Sequence, residues 1–298
     1  MPEMTAQDRR DERRRRKALK AAQKRAAALS LDQAARSARA VAGIHPTAWA
    51  AAMAVEPEEV PTGGTLSREV AGREVGGEAL GEQDWQAVVR GEEFTDAMRL
   101  IHLAARMDLV DQEQWRAEIF GSLRTAYEDQ LSIFAARADC PGRRAALTNG
   151  AILSGLNQVA ATDAEGIVNT YNADLAHAIQ RIRAETPRAN RATYARRVQD
   201  WAEARSAWKA GQIAITTDTK GRAMALQDFA AQNGTGGGRA KLLPTKAVCP
   251  VCQGWIARGW VPLSVATNNP GPWHPNCPHY WVVGYEGGID CEDMWLGE

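Results

Sequence analysis

Cys249-Pro250-Val251-Cys252, followed after 21 residues by His274-Pro275-Asn276-Cys277-Pro278-His279, is the densest run of metal-capable side chains in the chain. A Cys-x-x-Cys turn sets two thiolates on one side of a tight loop. A second loop carrying His and Cys can complete a tetrahedral site, for which zinc is the usual ion. The spacing is Cys249-x2-Cys252-x21-His274-x2-Cys277, with His279 as a spare donor; zinc is the cofactor it points to.

Other chemistries use the same residue types. Unligated thiols in a reducing compartment behave as small buried hydrophobes. A redox dithiol calls for a thioredoxin-like strand–helix context, which the sequence around Cys249 lacks. A disulfide framework fits poorly with five cysteines and no secretory signal. A zinc deaminase needs His-x-Glu upstream, and none of His45, His102 or His177 has Glu two residues on.

Working outward, residues 212–298 form a C-terminal Cys/His module. It opens on the β-branched, strand-like Ile213-Ala214-Ile215-Thr216-Thr217, a small helix over 223–231 and a flexible loop at Asn233–Gly238. The stretch that follows carries seven prolines and Trp255, Trp260, Trp273 and Trp281. It is too irregular to bury a large core by itself, so a bound metal would supply stability.

Residues 82–211 read as a helical body. Phe94, Met98, Ile101 and Ala105 mark one amphipathic face, and Trp115, Ile119, Leu123, Tyr127, Leu131 and Phe134 mark a longer one ending at Pro141-Gly142. A segment from Leu147 to Ala161 is expected to stop at Thr162-Asp163, which would cap the next helix along Ile167, Tyr171, Leu175, Ala178 and Ile182. Tyr194, Val198, Trp201 and Trp208 then form a stripe ending near Gly211. These aromatics are read as core. His102, His177, Cys140 and Cys291 are read as structural or surface residues, because none has a partner at ligand spacing.

Residues 56–81, rich in Gly and Pro, read as a flexible linker. They lack the Gly-Lys-Ser/Thr ending of a phosphate-binding loop. Before them, residues 1–55 form a basic N-terminal helical arm, helical over 5–29 and then one or two short helices broken at Gly43-Ile44-His45-Pro46. Arg9, Arg10, Arg13, Arg14, Arg15, Arg16 and Lys17 could neutralise nucleic-acid phosphates; the competing expectation is a solvated tail, since no aromatic is interleaved for stacking. Net charge is zero, yet no Lys or Arg follows Arg258 while Glu286, Asp290, Glu292, Asp293 and Glu298 do. That asymmetry suggests ends facing different partners. No apolar run is long enough to span a membrane, so a soluble cytoplasmic product with no membrane partner is expected.

Lys246-Ala247-Val248-Cys249-Pro250-Val251-Cys252 with Gly271-Pro272-Trp273-His274-Pro275-Asn276-Cys277 resembles the C-terminal signature of the phage Mu F-like head morphogenesis proteins, or minor capsid proteins. The resemblance is specific over about residues 245 to 281. It is only suggestive over 163 to 244, where Asn169-Thr170-Tyr171 stands roughly where the family often shows Arg-Thr-Glu, and it is absent before residue 90. The family commonly closes its signature with Asn-Cys-Arg-Cys, whereas this chain has Asn276-Cys277-Pro278-His279, so His279 or His274 would have to replace the final Cys. The resemblance implies an accessory protein of a tailed-phage head. Such a protein is made in the host cytoplasm, associates with the portal protein and other head proteins, and enters the virion head in few copies. Double-stranded DNA is a candidate partner through the basic arm.

The expected fold class is α+β, a mostly helical body with a small irregular C-terminal α+β module that zinc could staple. No nucleophile–base pair, phosphate loop or paired-carboxylate motif appears, so an enzyme is not expected. Two other classes compete. One is a zinc-knuckle nucleic-acid-binding protein without a capsid role; the other is a His-metal nuclease built on His274, Asn276 and His279 with Asp290 or Glu292.

Overall fold

The computed structural model describes residues 4–43, 112–138, 147–186, 191–244, 249–285 and 294–297. Four long helices come first: α1 (Ala6–Gly43), α2 (Gln112–Arg137), α3 (Gly150–Glu185) and α4 (Arg191–Asn233). They are followed by β1 (Gly238–Leu243), α5 (Pro250–Ala257), β2 (Val261–Pro262), α6 (Leu263–Thr267) and β3 (Tyr280–Tyr285). The three strands form an antiparallel sheet in the order β2-β1-β3, with Ala240 opposite Val261 on one side and Val283 on the other. The architecture is α+β, mostly helical with a small sheet near the C-terminus, as the composition of the two ends suggested.

Helix ends follow local chemistry. Thr5 Oγ1 accepts from the Asp8 amide at 3.1 Å while Asp8 Oδ2 accepts from the Thr5 amide at 2.9 Å, a reciprocal capping box at the start of α1. Asn149 Oδ1 caps α3, accepting from Ala151 and Ile152. Gly234, at φ 75°, takes the left-handed conformation that ends α4.

The chain folds as two compact units. The first draws on Met1–Leu29, Gln112–Glu165 and Ala207–Glu298; the second draws on Ser30–Asp111 and Gly166–Ser206. In the second, Tyr171, Leu175, Ala178 and Ile182 of α3 and Tyr194 and Val198 of α4 are buried. Ser37 Oγ and Tyr171 OH lie 2.9 Å apart, and the Tyr194 hydroxyl donates to the Ile179 carbonyl at 2.7 Å. In the first, the expected α2 stripe holds throughout: Trp115, Ile119, Leu123, Tyr127, Leu131 and Phe134 are all buried. Phe134 meets Phe229 of α4 at 4.8 Å between ring centroids, and Ile133 packs with Leu243, Tyr280 and Val282 to seat the sheet on α2.

Several local expectations are overturned. Ile213–Thr217 is not a strand but lies inside α4, so the boundary expected between residues 211 and 212 falls within one helix. Flanking Ala, Lys and Gln favour a helix. Ala214, Thr217, Asp218 and Thr219 are buried, and this packing outweighs the few tenths of a kcal/mol, roughly, that each β-branched residue costs in a helix. Gly211 does not stop α4 either; one glycine costs about 1 kcal/mol, too little to break a helix that runs on from Arg191 to Asn233. Thr162-Asp163 does not divide α3. Asp163 instead pairs with Lys220 Nζ at 2.7 Å. Residues 31–43 continue α1 without a break. Trp208, read as core, is 61% exposed. Phe94, Met98, Ile101, Ala105, His45, His102, Cys140, Cys291 and the 56–81 linker lie outside the described residues.

Gly221 sets how closely α4 approaches α2. A β-carbon there would lie 2.6 Å from the Leu123 carbonyl oxygen and 3.1 Å from Ala126 Cβ. Gly221→Ala, favourable by helix propensity, should instead destabilise by about 1–3 kcal/mol, because two backbones must separate. A shift of the urea midpoint at unchanged m-value checks this.

The N-terminal segment is not a solvated tail. Asp8, Asp11, Glu12 and Arg15 of α1 are buried. Arg137 holds Asp8 and Asp11 at 2.5 and 2.8 Å, and Lys241 reaches Asp8 at 2.8 Å. Burial works to raise the Asp8 pKa, but the Lys241 and Arg137 bonds prevail and bring it to about 2. A carboxyl whose folded-state pKa is depressed stabilises above its ordinary pKa and loses that contribution as pH falls towards 2. Asp8 therefore contributes roughly 2 kcal/mol at neutral pH that disappears between about pH 4 and pH 2. Burial raises Asp11 against the pull of Arg137, which partly offsets this slope. Asp8→Asn should flatten the acid limb of a stability-versus-pH curve over that window.

Candidate metal centre

Two loops of the first unit bring five donors together. The first loop is the start of α5. Cys249 is its N-cap, with extended backbone at φ −122° and ψ 152°, and its Sγ accepts from the Cys252 amide at 3.3 Å. Pro250 stands in the first turn, where a missing amide hydrogen costs nothing. The Cys-Pro-x-Cys sequence is thus a helix start as well as a pair of donors, and one turn of α5 carries Cys252 into the interior.

The second loop, 273–279, is anchored from outside itself. Asn276, at φ 65°, turns the chain in a conformation Asn tolerates better than most residues. Its amide donates to Thr216 Oγ1 at 3.1 Å, and Thr219 Oγ1 donates to the Cys277 carbonyl at 2.6 Å. Arg15 Nη1 donates to the Pro278 carbonyl. The stretch of α4 that looked strand-like therefore supplies Thr216 to the cradle of this loop and the following residues supply Thr219; neither was foreseen as a site residue. Thr216 and Thr219 sit one helical turn apart, a spacing legible only once the segment is known to be helical.

The donor atoms form two overlapping triplets sharing Cys252: Cys249, Cys252 and His274, then Cys252, Cys277 and His279. His274 Nε2 lies 3.2 Å from Cys249 Sγ and 3.5 Å from Cys252 Sγ. Cys252 Sγ is 3.9 Å from Cys277 Sγ, which is 3.7 Å from His279 Nδ1. The other His274 nitrogen, Nδ1, is 2.9 Å from the Pro275 carbonyl; donating there, it leaves Nε2 as a lone-pair donor facing the sulfurs. Cys252, Cys277 and His279 are buried, whereas Cys249 and His274 are half-buried. The hydrogen bond from the Cys252 amide, with smaller help from His274, lowers the Cys249 thiol pKa. Burial, then the neighbouring sulfurs, raises that of Cys252. These residues could bind a metal ion, and all five donors named from the sequence are brought together.

An aromatic wall flanks the centre. Trp255 of α5 stacks on Trp273 with centroids 6.0 Å apart, and Trp281 meets both edge-on at 5.5 and 6.3 Å. Behind the second loop lies a buried charge network. Arg222 reaches Asp129 at 2.7 Å, Asp218 at 3.2 Å and Gln130 at 3.1 Å, while Arg15 reaches Asp218 at 2.7 Å. The Tyr280 ring lies under both guanidinium groups, 4.7 Å from Arg15 and 5.0 Å from Arg222. Burial works to raise the Asp218 pKa, but Arg222 and Arg15 hold it below the ordinary carboxylate value.

The seven basic residues singled out for nucleic acid are divided by this packing. Arg15 is buried against Asp218 and unavailable to a partner. Arg14 pairs with the Asp129 carboxylate and Arg16 with Glu12. Arg9, Arg10, Arg13 and Lys17 are exposed. His177, also exposed, belongs to neither donor triplet. Asp290 and Glu292, needed for a nuclease, lie outside the described residues. No helix among the described residues is long and apolar enough to cross a membrane. No family model, curated protein or solved structure matches this chain.

Proposed function

We propose that this chain is a zinc-stapled minor head protein of a tailed phage, a non-enzymatic adaptor in head morphogenesis that binds the portal. The observation that carries the proposal is the convergence of Cys249 and Cys252 with His274, Cys277 and His279 in one unit. Four of these, Cys249, Cys252, His274 and Cys277, belong to the stretches on which the resemblance to the Mu F-like proteins rests, and their convergence supports it; His279 stands where the family commonly has its final Cys.

Zinc is the favoured ion on metric grounds. Zinc–sulfur bonds of about 2.3 Å and zinc–nitrogen bonds of about 2.0 Å at tetrahedral angles separate ligand atoms by roughly 3.5–3.8 Å. The donor separations of 3.2, 3.5, 3.7 and 3.9 Å bracket that range. Three sulfurs and imidazole nitrogen also suit a borderline-soft ion. Zinc would tie α5 to the loop before β3. The loop in turn is held by Thr216, Thr219 and Arg15, so the ion stabilises a surface for protein contacts.

Quantitative mass spectrometry of particles from the source phage tests the proposal. A low, reproducible ratio of this chain to the portal protein is expected in procapsids or virions; absence from both would end the capsid assignment. A zinc-knuckle nucleic-acid binder without a capsid role would then stand, favoured by the exposed cations of α1.

A further inference from the structure

The charges of α1 are sorted by face. Over residues 6–25 every acid points inward, with Asp8, Asp11 and Glu12 exposed by 0%, 5% and 8%. Arg9, Arg13, Arg16, Lys17, Lys20 and Lys24 are exposed. Four of these, Arg9, Arg13, Arg16 and Lys20, recur at steps of four, three and four; Lys24 continues the row by another four, and Lys17 lies alongside. The row spans about 22 Å of helix. Arg13, Lys17, Lys20 and Lys24 form no ion pair among the described residues, and Arg16 meets only Glu12. A chain with zero net charge thus presents one uniformly cationic ridge.

We infer that the outer face of α1 is a sequence-independent docking ridge for the phosphate backbone of double-stranded nucleic acid. The inference does not depend on the capsid assignment or on the metal. Charge complementarity selects a polyanion, and the rest of the face narrows the class. Over residues 6–25 its exposed apolar side chains are the alanines Ala6 and Ala21; Leu19 is half-buried and Leu31, 48% exposed, lies beyond the last cation of the row, so the ridge carries no series of Trp, Phe or Leu of the kind an interfacial membrane helix inserts. It also carries no aromatic on which unpaired bases could stack. Long, flexible cations on a rigid helix instead match backbone contacts that position a duplex without reading it. Buried Arg15, by contrast, takes no part.

The test is fluorescence anisotropy of a labelled mixed-sequence DNA duplex of about 25 base pairs with the full-length protein between 50 and 200 mM NaCl. With four to six phosphates neutralised, log Kd against log salt should have a slope of magnitude about 4–5. Arg13→Glu/Lys17→Glu/Lys20→Glu/Lys24→Glu should weaken binding at least tenfold at 50 mM salt, with helix content and metal content unchanged. The milder Lys17→Gln/Lys20→Gln/Lys24→Gln should reduce the slope by about one per lysine and guards against misfolding of the charge reversal. Failure of the wild type to bind at 50 mM salt would overturn the inference. So would unchanged binding in both variants, or binding to phosphatidylserine vesicles without binding to the duplex.

Discussion

Replacing Arg222 by alanine is expected to destabilise the first unit by about 3–5 kcal/mol, the range for leaving buried charge uncompensated. Arg222 is 1% exposed and is shared by Asp129 and Asp218, themselves 7% and 8% exposed. Removing it strands two carboxylates in the interior, with Arg15 and the more exposed Arg14 as their remaining cations. It also withdraws one of the two cations from the Tyr280 ring and frees Gln130 Oε1, whose side-chain amide holds the Trp281 carbonyl at 2.8 Å. Urea unfolding measures the loss. Replacing Arg15, Asp129, Asp218 and Arg222 together by apolar residues of similar volume should cost far less, because the buried charges are then removed as a set and only the solvent-exposed Arg14 loses a partner. A quadruple variant as unstable as Arg222→Ala would show that the network is not the source of the effect.

Cys252→Ser is expected to have the largest effect on metal content. Wild-type protein purified without chelator should carry about one equivalent of zinc, and the variant close to none. Cys252 belongs to both donor triplets, so its loss dismantles both, whereas Cys249→Ser or His279→Ala leaves one triplet intact and should retain a weakened site. Without the ion, α5 and the 273–279 loop are joined by the tryptophan contacts and strand pairing. Hydrogen exchange should therefore rise first in 249–279 while α2 stays protected. The double variant Cys249→Ser/Cys252→Ser should behave like Cys252→Ser. A metal-free wild type that is fully folded and equally protected would end the zinc assignment.

Much of this was legible in the residues themselves. The α2 stripe needed only a period of 3.6, because each of its apolar residues is buried by the same face of one helix. The donor cluster needed only its spacing, because Cys-Pro-x-Cys builds its own helix start and His274 and Cys277 lie within a few residues of each other. The N-terminal helix was likewise written in its Ala, Arg and Lys content.

What only the tertiary structure decided is where long-range partners impose the outcome. Arg15 and Asp218 lie 203 residues apart, so nothing in Arg13-Arg14-Arg15-Arg16 marks which arginine is buried and which are free. Ile213–Thr217 carries strand propensity, yet it is helical because its neighbours propagate the helix and one face packs inward. Local periodicity reports the face an element buries. Which charge is spent on the interior, and which is left for a partner, depends on the groups the fold brings opposite it.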